Sequence, residues 1–174
     1  MRKVTFGVAN SLDNYIARED GAVDWLTWSD DVARIMKEYW KTIDTLLMGR
    51  KTYEFALAHG GTDPYKGVKP YVFSRTLKAE QNGGVEIVSE DAAGFVRRLK
   101  RRKGKGICVL GGGDLARSLF EANLIDEVGL NIQPVLLGSG IPLFHHMKKQ
   151  INLELIACEP LKKGCVYVTY RVKK

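Results

Sequence analysis

Hydrophobic and polar positions along this chain follow two periods. The clearest long one covers residues 30–43, where Val32, Ile35, Met36, Tyr39, Trp40 and Ile43 recur at helical spacing, the stripe of an amphipathic helix. Ser29 or Asp30 is available as its N-cap. Short apolar runs bounded by turn residues predict strands at 3–9, 45–48, 71–74, 85–88, 107–110 and 128–137. Pro134 inside the last run predicts an edge position or a bend. Residues 51–58, 90–102 and 114–122 read as further helices, the second beginning near Ser89. Residues 152–159 and 165–172 predict two strands joined around Lys162-Lys163-Gly164, with Val166, Val168 and Tyr170 alternating against Tyr167, Thr169 and Arg171. Tyr15-Ile16-Ala17 is an apolar island in the polar loop 10–21, and Gly60-Gly61-Thr62-Asp63-Pro64 is a second loop. Strands alternating with helices define an α/β fold with a mostly parallel central sheet, closed by an antiparallel C-terminal hairpin.

Length and composition narrow this picture only a little. The 174 residues suit one domain, 1–174, and 45% apolar with 27% charged residues is an ordinary globular balance. No run of about 18 apolar residues occurs, so no membrane span is expected. Met1-Arg2-Lys3-Val4-Thr5-Phe6 enters a strand pattern directly and lacks the apolar core of a signal peptide. Cys108, Cys158 and Cys165 have no metal-ligand spacing, and adjacent His145-His146 point in different directions in regular structure, so no metal is expected. A reducing cytoplasm is the natural compartment.

The net charge of +7 raises the question of nucleic acid. Much of it sits in Arg97, Arg98, Lys100, Arg101, Arg102, Lys103 and Lys105, at the end of a predicted helix whose dipole suits cations. No aromatic residue is interleaved there to stack on bases, so the cluster reads as a solvated helix end, and a non-enzymatic nucleotide or nucleic-acid module is the remote alternative.

Candidate chemistry gathers where predicted strands end. In a parallel sheet, ligands bind outside the carboxyl ends of the strands. Gly106-Ile107-Cys108-Val109-Leu110 runs into Gly111-Gly112-Gly113-Asp114 and then a helix from Leu115, a turn in which backbone can approach a phosphate, or simply a tight strand-to-helix connection. Gly49-Arg50-Lys51-Thr52 repeats that arrangement with two cations and a hydroxyl. Ser74-Arg75 is a polar tip after an apolar strand, and arginine can grip a phosphate monoester with two donors. Three anion-friendly strand ends favour a nucleotide with several phosphates, although the spacing matches neither a Rossmann Gly-x-Gly-x-x-Gly nor a Walker loop.

These segments carry a resemblance. Ser11-Leu12-Asp13-Asn14-Tyr15-Ile16-Ala17, Leu47-Met48-Gly49-Arg50-Lys51-Thr52-Tyr53-Glu54, Val72-Phe73-Ser74-Arg75, Leu110-Gly111-Gly112-Gly113 and Pro134-Val135-Leu136-Leu137-Gly138 are similar, in order and spacing, to the dihydrofolate reductase superfamily. The branch is that of the C-terminal reductase domain of bifunctional riboflavin-biosynthesis deaminase/reductases. The resemblance implies a dihydrofolate reductase-like three-layer sandwich with helices on both faces of the sheet. It implies NADPH as cofactor, with Gly49, Arg50, Lys51 and Thr52 on the pyrophosphate side and Ser74 and Arg75 on the adenosine 2′-phosphate. Gly111, Gly112 and Gly113, with the N–H groups of Asp114 and Leu115, would back the pyrophosphate and nicotinamide, and Ala9 and Ile16 would flank the nicotinamide. The branch usually has glycine where this chain has Asn14, the residue that best tolerates a left-handed backbone in its place.

The expected reaction is hydride transfer to a pterin-like heterocycle. The alternative is reduction of 5-amino-6-(5-phosphoribosylamino)uracil, without a deaminase half, since His-x-Glu and Pro-Cys-x-x-Cys are absent. Dihydrofolate reductases keep a carboxylate on the first helix. Here Asp31 sits at the edge of the apolar stripe beside Ile35 and is the candidate proton donor, or else a first-turn acid that complements the helix dipole; Asp30 reads as a cap. Trp25, with Asp31 and Ile35, would lie on the substrate. Relatives in this branch imply a homodimer.

Overall fold

A computed structural model describes residues 1–60, 67–77, 85–111 and 113–174. The elements follow in the order β1 (Val4–Ser11), β2 (Tyr15–Ala17), α1 (Asp30–Lys41), β3 (Ile43–Gly49), α2 (Arg50–Ala58), β4 (Lys69–Phe73), β5 (Glu86–Val88), α3 (Ala92–Arg101), β6 (Gly106–Leu110), α4 (Gly113–Glu121), β7 (Glu127–Gln133), β8 (Ile141–Pro142), β9 (Leu153–Pro160) and β10 (Val166–Val172). Eight strands form one sheet in the order β5-β4-β3-β6-β1-β7-β10-β9, while β2 pairs with β8 beside it. From β5 to β7 the neighbours are parallel; β10 runs antiparallel to both β7 and β9. This is the dihydrofolate reductase-like α/β architecture, with helices on both faces.

Strand alternation decides which face each helix covers. On one face Val4 and Phe6 of β1 pack with Val96 and Leu99 of α3 and with Leu115, Leu119 and Phe120 of α4. On the other, Val32, Ile35 and Met36 of α1 pack against Leu161, Cys165 and Tyr167, and Tyr39 and Trp40 join Ile43, Met48 and Tyr53 of α2. Those that are fully buried, such as Val4, Phe6, Val96 and Leu119, contribute about 1.5–3 kcal/mol each. Ser29 is the N-cap of α1, its Oγ accepting from Val32 N at 3.4 Å, and Asp30, Asp31 and Lys41 complement the helix dipole at the two ends.

Several expectations shift. The island at 15–17 is a strand, β2. Helix α3 is capped by Asp91, whose Oδ2 accepts from Gly94 N at 2.7 Å, rather than starting near Ser89. β7 stops at Gln133 and is flanked by β1 and β10, so Pro134 marks a bend and the edge alternative does not hold. Lys100 does not belong to the solvated helix end. It is 6% exposed, ion-paired to Asp126, and donates to Leu124 O at 3.3 Å. The remainder of the cluster is exposed, with Arg98 paired to Glu90. The loop expected at 60–64 lies outside the described residues apart from Gly60. Among the described residues, no helix is long and apolar enough to cross a membrane.

Candidate active site

Parallel pairing brings the carboxyl ends of β4, β3, β6, β1 and β7 to one edge of the sheet. β3 ends at Gly49, which is the N-cap of α2. On the neighbouring strand, Gly111 turns the chain with φ +59°, and a Cβ there would stand 2.9 Å from Thr52 Oγ1. Only glycine fits that left-handed, crowded position, and it brings the 49–52 and 111–115 segments together. Gly113 begins α4 under the His145 ring, which a Cβ would meet at 2.4 Å. His145 Nδ1 lies 3.2 Å from Asp114 Oδ1, which also pairs with Arg117. The first N–H groups of a helix lack intrahelical partners, so Asp114 and Leu115 present donors at this turn. Gly112 lies outside the described residues.

The cations stand around this turn. Arg50 and Lys51 are exposed, Arg50 pairing with Glu54 at 2.9 Å. At the end of β4, Ser74 is buried and its Oγ accepts from Thr76 N at 3.2 Å and Leu77 N at 3.0 Å. The hydroxyl therefore shapes the turn and holds Arg75 exposed at its tip.

The loop after β1 is fastened by its own side chains. Asn14 takes φ 65°, the left-handed conformation expected of a residue in a glycine's place. Ser11 Oγ donates to Asp13 Oδ1 at 2.6 Å and accepts from Tyr15 N at 2.9 Å. Asp13 accepts from Gly138 N at 2.8 Å and Leu137 N at 3.1 Å. The Ser11 hydroxyl first, and then these amides, hold its carboxyl below the ordinary carboxylate value. Ala9 lies on β1 opposite Asn131, and Ile16 on β2 packs against the main core.

The face beneath α1 is closed and largely uncharged. Val32, Ile35, Met36, Asn131, Leu161 and Tyr167 line a crevice too tight for water. Burial pushes the Cys108 thiol up to about 12, and raises the Tyr39 and Tyr167 phenols as well. Asp31 sits half-exposed at the first turn of α1, where its Oδ2 accepts from Lys162 N at 3.0 Å. That bond uses one oxygen and ties α1 to the turn between β9 and β10. Trp25 buries its indole N–H in the preceding loop.

Sequence reasoning missed two polar residues on this face, Asn131 and Gln133. They are 8% and 1% exposed and occupy alternate positions of β7, paired across the strand with Ala9 and Ser11. The signal was available: polar side chains at every second position of a run that is otherwise apolar enough for an interior strand.

The sheet order and the strand-end loops define a dihydrofolate reductase-like protein. A family model for the RibD C-terminal domain matches residues 2–167, and the chain belongs to that family. The Bacillus subtilis (strain 168) protein YwjB is 37% identical over 155 residues, 88% of this chain and 89% of that one. A crystal structure of a candidate riboflavin biosynthesis protein from Shewanella sp. PV-4 superposes with a TM-score of 0.87 at 28% identity, covering 100% of both chains. Dihydrofolate reductase from Enterococcus faecalis, complexed with NADP(H), shares the fold with a TM-score of 0.71 at 20% identity, over 99% of this chain and 97% of that one.

Proposed function

We propose that this protein is an NADPH-dependent reductase acting on a small heterocycle of the pterin or uracil type, by a dihydrofolate reductase-like reaction. The observation that carries this reading is the convergence of Gly49–Thr52, Ser74–Arg75, and Gly111 with Gly113–Leu115, on the carboxyl ends of three neighbouring strands. Backbone donors, cations and a hydroxyl there suit a dinucleotide's phosphates. Arg50, Lys51, Thr52 and the glycine turn would hold the pyrophosphate, Ser74 and Arg75 the 2′-phosphate, and Ala9 and Ile16 would border the nicotinamide. When bound, NADPH supplies the hydride. Trp25, Asp31 and Ile35 would face the substrate. Asp31, or a water it orients, would supply the proton. Membership of the RibD C-terminal domain family and likeness to a candidate riboflavin biosynthesis protein support, as the alternative to a folate substrate, reduction of 5-amino-6-(5-phosphoribosylamino)uracil.

Calorimetry with NADPH and NADH tests the cofactor assignment. Wild type is expected to prefer NADPH, and Arg75→Ala to weaken NADPH about tenfold or more while leaving NADH unchanged, from the loss of one charge-assisted contact. Equal binding of the two cofactors by wild type would refute the 2′-phosphate role. For the proton, Asp31→Asn is expected to lower dihydrofolate-dependent NADPH oxidation about a hundredfold at unchanged NADPH affinity. Unaltered turnover would remove Asp31 from the chemistry.

The same reading includes a homodimer. β9 is exposed along its whole length at the edge of the sheet and carries Leu153, Leu155 and Ile156 at 41%, 55% and 42% exposure. An edge of this kind invites pairing with a second strand. Light scattering is expected to give twice the monomer mass for wild type and the monomer mass for Ile156→Lys.

A further inference from the structure

The start of α4 carries an acid where the cofactor reading puts phosphate. Asp114 is the second residue of that helix, its side chain is 76% exposed, and it closely follows the left-handed turn at Gly111. A carboxylate in a first turn complements the helix dipole. Beside a pyrophosphate the same charge repels, more or less strongly according to where the carboxylate points.

Two side chains decide that direction. Arg117, one turn further along α4, places Nη2 3.2 Å from Asp114 Oδ1. His145 places Nδ1 3.2 Å from the same oxygen, and it comes from a different part of the chain. A carboxylate only accepts, so Nδ1 carries the hydrogen and donates it. Neighbours on both sides anchor the histidine. Leu143 is buried and donates its N–H to Asn14 O at 2.8 Å, the Phe144 ring lies 5.9 Å from Phe6 and 6.2 Å from Phe120, and Met147 packs on the main core.

The helix makes room for the imidazole. Gly113, the first residue of α4, is not among the glycines with positive φ, yet a Cβ on it would stand 2.4 Å from His145 Cδ2 and 2.5 Å from Nε2. Glycine is a poor helix former, and what its missing side chain admits here is the His145 ring.

We propose that His145 is a positioning residue of the cofactor site. It holds the Asp114 carboxylate aside, so that the N–H groups at the start of α4 meet the dinucleotide's pyrophosphate without an opposing charge. This rests on the cofactor assignment made under the reductase reading. It gives the segment after β8 a part in a site otherwise built from strand ends, and it accounts for glycine at 113, where the backbone alone does not demand one.

Calorimetry with NADPH and with NADH tests this on wild type, His145→Phe, Asp114→Asn and the double variant. Phenylalanine keeps a ring against Gly113 and removes the donor. His145→Phe is expected to weaken both cofactors about fivefold, the scale of one exposed like charge beside a phosphate, and the loss is expected to shrink as salt rises. Both cofactors respond because both carry the pyrophosphate, in contrast to the effect at Arg75. In the Asp114→Asn background the same replacement is expected to change either affinity by less than about twofold, a difference that lost packing does not produce. His145→Asn, whose amide can still donate, is expected to recover most of the wild-type affinity. Should His145→Phe fail to fold, Gly113→Ala displaces the ring without altering it and is expected to show the same dependence on Asp114. Wild-type affinity in folded His145→Phe, or an equal loss with and without the Asp114 carboxylate, overturns the role of His145 alone. A wild-type protein that binds neither cofactor overturns the cofactor assignment and this role together.

Discussion

Replacing Asp126 by alanine is expected to destabilise the protein by about 3 kcal/mol, the cost of stranding a buried partner charge. Lys100 is the partner. Its stem runs inward from α3, its ammonium pairs with the Asp126 carboxylate, and 7% of its side chain is exposed. Asp126 also accepts from Val4 N at 2.8 Å and from Lys174 Nζ at 2.5 Å, so one carboxylate joins β1, α3 and the C-terminal end. For a chain of this length about 3 kcal/mol corresponds to a fall of roughly 6–12 °C in melting temperature. Lys100→Met in the same background should restore part of it by removing the stranded cation. Acidity should act on the same pair. Burial alone would raise the Asp126 carboxyl; the Lys100 ammonium, Lys174 and the Val4 amide outweigh it and hold the group below its ordinary value. A carboxyl lowered on folding gives stability that is present above its unfolded value, near pH 4, and lost as pH falls through the folded one. Denaturant titrations from pH 6 to pH 2 are expected to show that loss in wild type and a flatter profile in Asp126→Ala.

Gly111→Val is expected to weaken NADPH binding about a hundredfold or more. Valine is strongly disfavoured at φ +59°, and its Cβ would lie 2.9 Å from Thr52 Oγ1, so the turn and the start of α2 must part. Two charge-assisted bonds to phosphate lost in that way cost about 3 kcal/mol. Calorimetry gives the affinity, and the melting temperature separates local from global damage. A folded variant that binds NADPH like wild type would exclude the glycine turn from the cofactor site.

The fold was legible because its elements announce themselves locally. The stripe from Val32 to Trp40 appears as α1, the apolar runs appear as interior strands, and the two glycine-bearing strand ends stand side by side. Boundaries moved where a cap or a bend decides them, as at Asp91 and Pro134, since such choices depend on one or two hydrogen bonds. Lys100 escaped notice because a basic run looks the same whether or not one member turns inward to meet a carboxylate 26 positions later. Asn131 and Gln133 were missed for a related reason. Their alternation with apolar residues is visible in the sequence, but that the polar face of β7 is buried shows only once α1 and the loop before it are in place. The contact of Asp31 with Lys162 N likewise joins positions that no local pattern connects.

The central place of β1 bears on how the chain reaches this structure. Val4 pairs with Ile107 and Phe6 with Val128, so the strand closest to the N-terminus sits between two that are synthesised far later. As the polypeptide emerges, β3 and β4 can associate through the short α2 crossover, but β1 has no lateral neighbour until β6 and then β7 appear. Such long-range parallel pairings make folding slow, because the loop must close before any contact rewards it. An apolar strand thus stays unpaired until β6 and β7 have been made, which exposes it to aggregation in the meantime.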